Sequence, residues 1–202
     1  MKRKTKNTLK LGALLIGGYL VASSLPELFE RHNHWDWSRK YCDSVNKPLL
    51  RIGMKRSFLE PPNGDVTLDL SEEVLGIKGG VLGDECDMPF KDKQFGVCFN
   101  EHTLEHLRYP EDVEAAVKEC VRVADYAVLL APSPYSIYAT FFCPTHLLLL
   151  WFDDENNEIR VMENKYNTGF GFNLGENLPP RDQRGIGQAM VLHDKFPVVK
   201  AI

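Results

Sequence analysis

The chain has 202 residues, 24 of them Lys or Arg and 28 Asp or Glu, for a net charge of −4 with the histidines neutral. That length suits one domain with a sizeable core, and the mildly acidic balance provides no broad cationic surface, so no nucleic acid partner is expected. The five cysteines, Cys42, Cys86, Cys98, Cys120 and Cys143, are odd in number and widely spaced, which argues against a disulfide framework or a thiolate zinc site and for reducing surroundings.

Lys2, Arg3, Lys4, Lys6 and Lys10 crowd the start and precede an apolar stretch that reaches Phe29 and carries no charge from Leu11 to Leu25. A membrane-crossing helix needs about 20 apolar residues; snorkelling of Lys10 and extension through Leu28 and Phe29 supply that reach. Residues 1–30 are therefore expected to form a single-pass anchor, helical and embedded from Leu11 to Leu28, with residues 9–29 contacting the membrane. The basic residues ahead of the span favour a cytoplasmic N-terminus. A cleavable signal peptide ending near Ala22-Ser23-Ser24 and a buried apolar helix are the two other readings. Ala13 and Gly17, and likewise Gly18 and Ala22, stand four apart, a spacing that lets a second membrane helix approach closely.

Residues 31–47 read as a juxtamembrane linker. Trp35, Trp37 and Tyr41 beside Arg31, Arg39 and Lys40 suit a membrane-water interface, and an amphipathic helix packed on the domain is the equal alternative. Residues 48–202 form the domain. Strands are predicted at 49–53, 66–70, 95–100 and 126–131, the last ended by Pro132. Between the third and fourth, Val113, Ala116, Val117, Cys120 and Val121 recur at helical spacing. This alternation predicts an α/β fold, a mostly parallel sheet flanked by helices. After Pro144 the pattern weakens, with strand signals around 159–163 and 189–199 separated by a long loop rich in Gly, Pro and Asn over 167–185.

His102-Thr103-Leu104-Glu105-His106 spells His-x-x-Glu-His, a pattern in which two histidines one helical turn apart bind zinc. Here it follows a strand directly and Pro110 interrupts any helix soon after, so no metal site is assigned.

From Gly83 to Pro134 a succession of motifs carries more information than any single one: Asp84 before Met88-Pro89-Phe90, then Phe95, Leu104-Glu105-His106 and Arg122-Val123. This order resembles the class I S-adenosylmethionine-dependent methyltransferases of type 11, and the resemblance extends from about Leu49. It implies a Rossmann-like sheet with S-adenosylmethionine beyond the carboxyl ends of its strands. By the same resemblance Gly53 would cradle the cofactor and Asp69, with Leu70 beside it, would accept from the ribose hydroxyls. Asp84 would accept from the adenine amino group, with Glu85 and Cys86 facing the ring edge. Asn100 and His102 would lie near the methionine end, and Met88 and Phe90 would supply apolar contact.

The family's glycine loop, Leu-Asp-x-Gly-x-Gly-x-Gly, is here Leu50-Arg51-Ile52-Gly53-Met54-Lys55-Arg56-Ser57. Side chains at Lys55 and Ser57 would crowd a close backbone approach. Arg51 replaces an acidic residue that helps position the cofactor's amino group, and Gly96 stands where the family has Asp. These changes work against cofactor binding, and Lys55 or Arg56 is expected to border the site. Two functions follow: a membrane-anchored methyltransferase of unassigned acceptor and catalytic residues, or a catalytically inactive methyltransferase-fold scaffold or accessory subunit of a membrane assembly. The small-residue faces would then meet membrane-protein partners. The cofactor is a cytoplasmic metabolite, so the domain is assigned to the cytoplasm, although the basic N-terminus taken alone argues for the opposite side.

Overall fold

Apolar side chains alternate between the two faces of the strands. Leu50, Ile52, Cys98 and Leu129 enter one buried cluster, while Leu49, Val97, Phe99 and Val128 enter a second. Such alternation in strands buried on both faces demands cover on each side of the sheet. The computed structural model describes residues 28–132, 143–164, 187–193 and 195–202, together with Gly18. Helix α1 spans 28–45, followed by β1 (Leu49–Ile52), β2 (Val66–Asp69), β3 (Gly80–Leu82) and β4 (Phe95–Glu101). Then come α2 (Pro110–Val123), β5 (Ala124–Pro132), β6 (Leu148–Asp153), β7 (Glu158–Glu163), β8 (Gly187–His193) and β9 (Val198–Ala201).

The main sheet has the order β3-β2-β1-β4-β5-β8. Its first five strands are parallel, and β8 closes one edge antiparallel to β5. The four strands expected from sequence are present, and β3 adds a short edge. A second sheet, β6-β7-β9, was not foreseen. It contributes Leu148, Leu150, Ile159 and Val161 to the cluster under α2, so it covers the same face as that helix. Pro110 starts α2, and the Asp112 carboxylate accepts from the Tyr109 amide at 3.1 Å to cap its first turn.

The opposite face is covered by α1. Trp35 packs edge-on against Phe99 at 5.1 Å between ring centroids, and Tyr41 meets Tyr126 at 4.8 Å. The stretch read as a linker is thus part of a helix packed on the sheet. Gly96, the departure from the family's Asp, has a steric reason: a Cβ there would lie 2.9 Å from Cys42 Sγ and 3.2 Å from Cys42 Cα. The helix crosses the sheet directly above that position.

The expected membrane span, its small-residue faces and the loop at 167–185 lie outside the described residues, apart from Gly18 and Leu28. Among the described residues, no helix is long and apolar enough to cross a membrane.

Because α1 rests on Gly96, Gly96→Ala is expected to lower the unfolding free energy by about 1–3 kcal/mol, the range for overpacking a tight contact. Urea denaturation of the variant, alone and combined with Cys42→Ala, tests this; the second change should restore part of the loss by removing Sγ.

Candidate functional site

The connection from β1 to β2 has no helix. Residues 53–65 return to the start of β2 as an irregular loop, and such a loop must find partners for its backbone polar groups without regular structure. Arg51 supplies many of them. Its Nε donates to the Gly53 carbonyl at 2.9 Å, and its Nη1 donates to the carbonyls of Pro61 and, at 2.9 Å, Pro62. Nη2 lies 3.1 Å from a Glu60 oxygen and 3.1 Å from a Glu101 oxygen. The guanidinium thus makes four hydrogen bonds, to Gly53, Pro61, Pro62 and Glu60, and pairs its charge with Glu101 besides, a spread of donors that suits arginine's planar fork.

Arg51 is 2% exposed. Burial pushes its pKa down, opposed by the charges of Glu101 and Glu60, and the group remains cationic. Burial likewise raises the Glu101 carboxyl, opposed by Arg51 and Arg31. Arg31, from α1, reaches Glu101 at 3.3 Å, so charges of alternating sign run Arg31, Glu101, Arg51, Glu60. The positive charge expected to disfavour a ligand's ammonium is neutralised by carboxylates on two other segments.

The rest of the loop is tied down locally. Met54 N donates to Asp69 Oδ2 at 2.7 Å and Ser71 N to Asp69 Oδ1 at 2.8 Å. Lys55 N donates to Asn63 Oδ1 at 2.9 Å. Gly53 has φ of +81°, and a Cβ there would stand 2.9 Å from Thr103 Cγ2, so both conformation and space call for glycine.

Between the diverging ends of β1 and β4, where the strand order reverses, the structure opens a cavity of about 510 Å³. Ligands of open α/β sheets bind at such a switch point. Its lining includes Gly53, Asp69, Leu70 and Glu85, four of the residues singled out from sequence, with Arg31, Arg51 and Arg56. Lys55 is absent from the lining; Arg56 borders it, with Nη2 3.7 Å from Asp69 Oδ1. Asp84 and Cys86 also stand outside the lining. Asp84 Oδ1 accepts from Cys86 N at 2.8 Å, forming a turn. Met88 is buried in the core and Phe90 packs on Phe95 at 4.9 Å.

Asn100 is fully buried behind the cavity and joins a three-membered ring of polar groups. Its Nδ2 donates to Glu85 Oε2 at 2.6 Å, Thr103 Oγ1 lies 2.8 Å from the same oxygen, and Thr103 Oγ1 lies 2.6 Å from Asn100 Oδ1. The threonine hydroxyl has one hydrogen for two acceptors. If Glu85 carries a proton, every link has a donor: Asn100 to Glu85, Glu85 to Thr103, Thr103 to Asn100. Burial raises the Glu85 carboxyl to about 7, against the pull of hydrogen bonds from Thr103 and Asn100. Thr103, Arg31 and Glu101 had no sequence signal for a role at the site, because their partners are distant along the chain.

Residues 65–126 match the sequence profile of a family described as a methyltransferase domain. That stretch, which runs from the start of β2 into β5, is thus similar to a methyltransferase domain. The first solved structure the chain matches is an S-adenosylmethionine-dependent methyltransferase from Archaeoglobus fulgidus, 24% identical, covering 57% of this chain and 61% of that one, with a TM-score of 0.41. Another, from Clostridium acetobutylicum, is 14% identical and covers 59% of this chain and 56% of that one, with a TM-score of 0.40. The chain thus spans less than two thirds of either structure. No curated protein matches.

Two outcomes test the site. Arg51→Met should cost about 3–5 kcal/mol in urea denaturation, because it leaves Glu101 buried without its main partner; Arg51→Met with Glu101→Met should be less destabilised than the single change. For Glu85, the folded-state pKa near 7 exceeds its ordinary value of 4.5. Its contribution to stability is full below about pH 4.5 and is lost as pH rises through about 7. Glu85→Gln should therefore gain on the parent between pH 5 and pH 8, by up to about 3 kcal/mol, when unfolding is measured at both.

Proposed function

We propose that this chain binds S-adenosylmethionine in the cavity between β1 and β4 and acts as a membrane-anchored methyltransferase. One observation supports this most: a cavity of about 510 Å³, within the roughly 300–1,000 Å³ usual for small-molecule sites, joins Gly53, Asp69 and Glu85 at the switch point. The residues fit the cofactor in outline. Gly53, with its positive φ, turns the chain at the end of β1 and sets its backbone in the cavity wall. Each Asp69 oxygen accepts one backbone amide and keeps a further lone pair for a hydroxyl. The cofactor supplies a methyl group on a sulfonium, ready for transfer to a nucleophile. The chain's own residues hold and orient the reactants, with His102, His106 and Leu107 lining the same cavity. Alignment of this kind is a large part of catalysis in a displacement reaction. Anchoring through residues 9–29 would favour an acceptor at the membrane surface, on the cytoplasmic side where the cofactor is made.

A second reading, a catalytically silent scaffold, draws on Arg56, which leans toward Asp69 and competes for the acceptor a ribose would use. Thermal unfolding of the full chain in detergent separates the two. Saturating S-adenosylmethionine is expected to raise the midpoint, as any ligand selective for the folded state does, and Asp69→Asn should weaken binding at least tenfold while keeping the fold. No shift at millimolar ligand would favour the scaffold.

A further inference from the structure

Outside the polar ring and the arginine network, two buried polar groups make no hydrogen bond among the described residues, Trp151 Nε1 and the Glu105 carboxylate, and only the second carries charge. Glu105 is 1% exposed, and neither of its carboxylate oxygens accepts a well-formed hydrogen bond among the described residues. His102 Nδ1 lies 3.2 Å from Oε1, and His146 Nε2 lies 3.8 Å from it. The second distance is too long for a charge-assisted hydrogen bond, which closes to about 2.8 Å.

Around it, ligand atoms of Glu105, His106 and His146 all fall within 4.8 Å of one another. We propose that these three side chains bind a first-row divalent metal ion of the zinc class. Two imidazoles and one carboxylate are a donor set zinc accepts, with a fourth position left open. Tetrahedral coordination at zinc's bond lengths sets ligand atoms roughly 3.3 Å apart, which small side-chain rotations reach from here.

The supporting groups favour the same arrangement. The Thr145 carbonyl accepts from His106 Nδ1 at 2.8 Å, which fixes the proton there and leaves Nε2 as a lone pair for a metal. Arg31 Nη2 stands 2.8 Å from His102 Nε2. Arginine can only donate, so the His102 proton sits on Nδ1, the nitrogen facing Glu105. His102 is thereby suited to orient the carboxylate rather than to bind the metal. It is held with φ of +54°, a left-handed conformation few non-glycine residues adopt. The two halves of the site are locked in register, since Leu147 N donates to the Glu105 carbonyl at 2.8 Å. His106 is exposed and lines the cavity, so the open metal position would face solvent at the cavity's edge. The proposal stands whether or not the cofactor binds.

The test is a cobalt(II) titration of the full chain, purified in detergent without a histidine tag, followed by visible absorption and by displacement with zinc. Saturation at one ion per chain with tetrahedral-type bands is expected, and His106→Ala and His146→Ala should each weaken binding at least tenfold. His106 is exposed, so its variant should fold, as circular dichroism can verify, and His193→Ala should bind as the parent does. Absence of saturable binding, or affinity unchanged in both His106→Ala and His146→Ala, would overturn the proposal and leave Glu105 as a member of an ion-pair cluster only.

Discussion

The arrangement of this domain depends on a buried guanidinium in place of a helix. A parallel pair of strands is ordinarily joined by a crossover that carries its own hydrogen bonds. Between β1 and β2 the chain has only residues 53–65, with two prolines that contribute no amide. Arg51 compensates by donating to the carbonyls of Gly53, Pro61 and Pro62 and to the carboxylate of Glu60, while its charge is paired with Glu101. A lysine at this position has three donors on a flexible stem and would leave several acceptors unmet.

That substitution has consequences at a distance. A buried cation calls for buried anions, and Glu101 at the end of β4 faces it across the switch point. Glu101 in turn engages Arg31, which links α1 to the cavity, and the same arginine fixes the tautomer of His102. The crossover, the helix on the far face and the histidines near β6 are thus parts of one polar network. The ring formed by Glu85, Asn100 and Thr103 sits beside it and closes the wall next to Gly53.

Much of the fold was legible because its signals are local. The periods of β1, β2, β4 and β5 and of α2 follow from side-chain alternation and helical spacing, and each was found within a residue or two. The order of motifs from Asp84 to Val123 carries the resemblance to methyltransferases, and it lies within residues 65–126, which match a methyltransferase domain. The second sheet was not legible, since β9 pairs in parallel with β7 across a long interval and short apolar runs carry no partner information. At the site, Gly53, Asp69, Leu70 and Glu85 line one cavity. Asp84 and Cys86 instead form a turn whose geometry depends on backbone amides, and Asn100 turns inward to Glu85. From sequence Arg51 reads only as a charge unfavourable to a ligand; its pairing with Glu101, fifty positions away, follows from strand order and is not legible locally. Gly96 looked like a lost functional residue, but the space it leaves is filled by Cys42.

Hydrogen exchange of the loop over residues 53–64 tests the dependence on Arg51 most directly. In the parent chain these amides should be protected despite the absence of regular structure, and in Arg51→Lys they should exchange at nearly the rates of an unfolded segment while β4 and α2 stay protected. Rapid exchange of this loop in the parent, or the same protection in Arg51→Lys, would contradict the account.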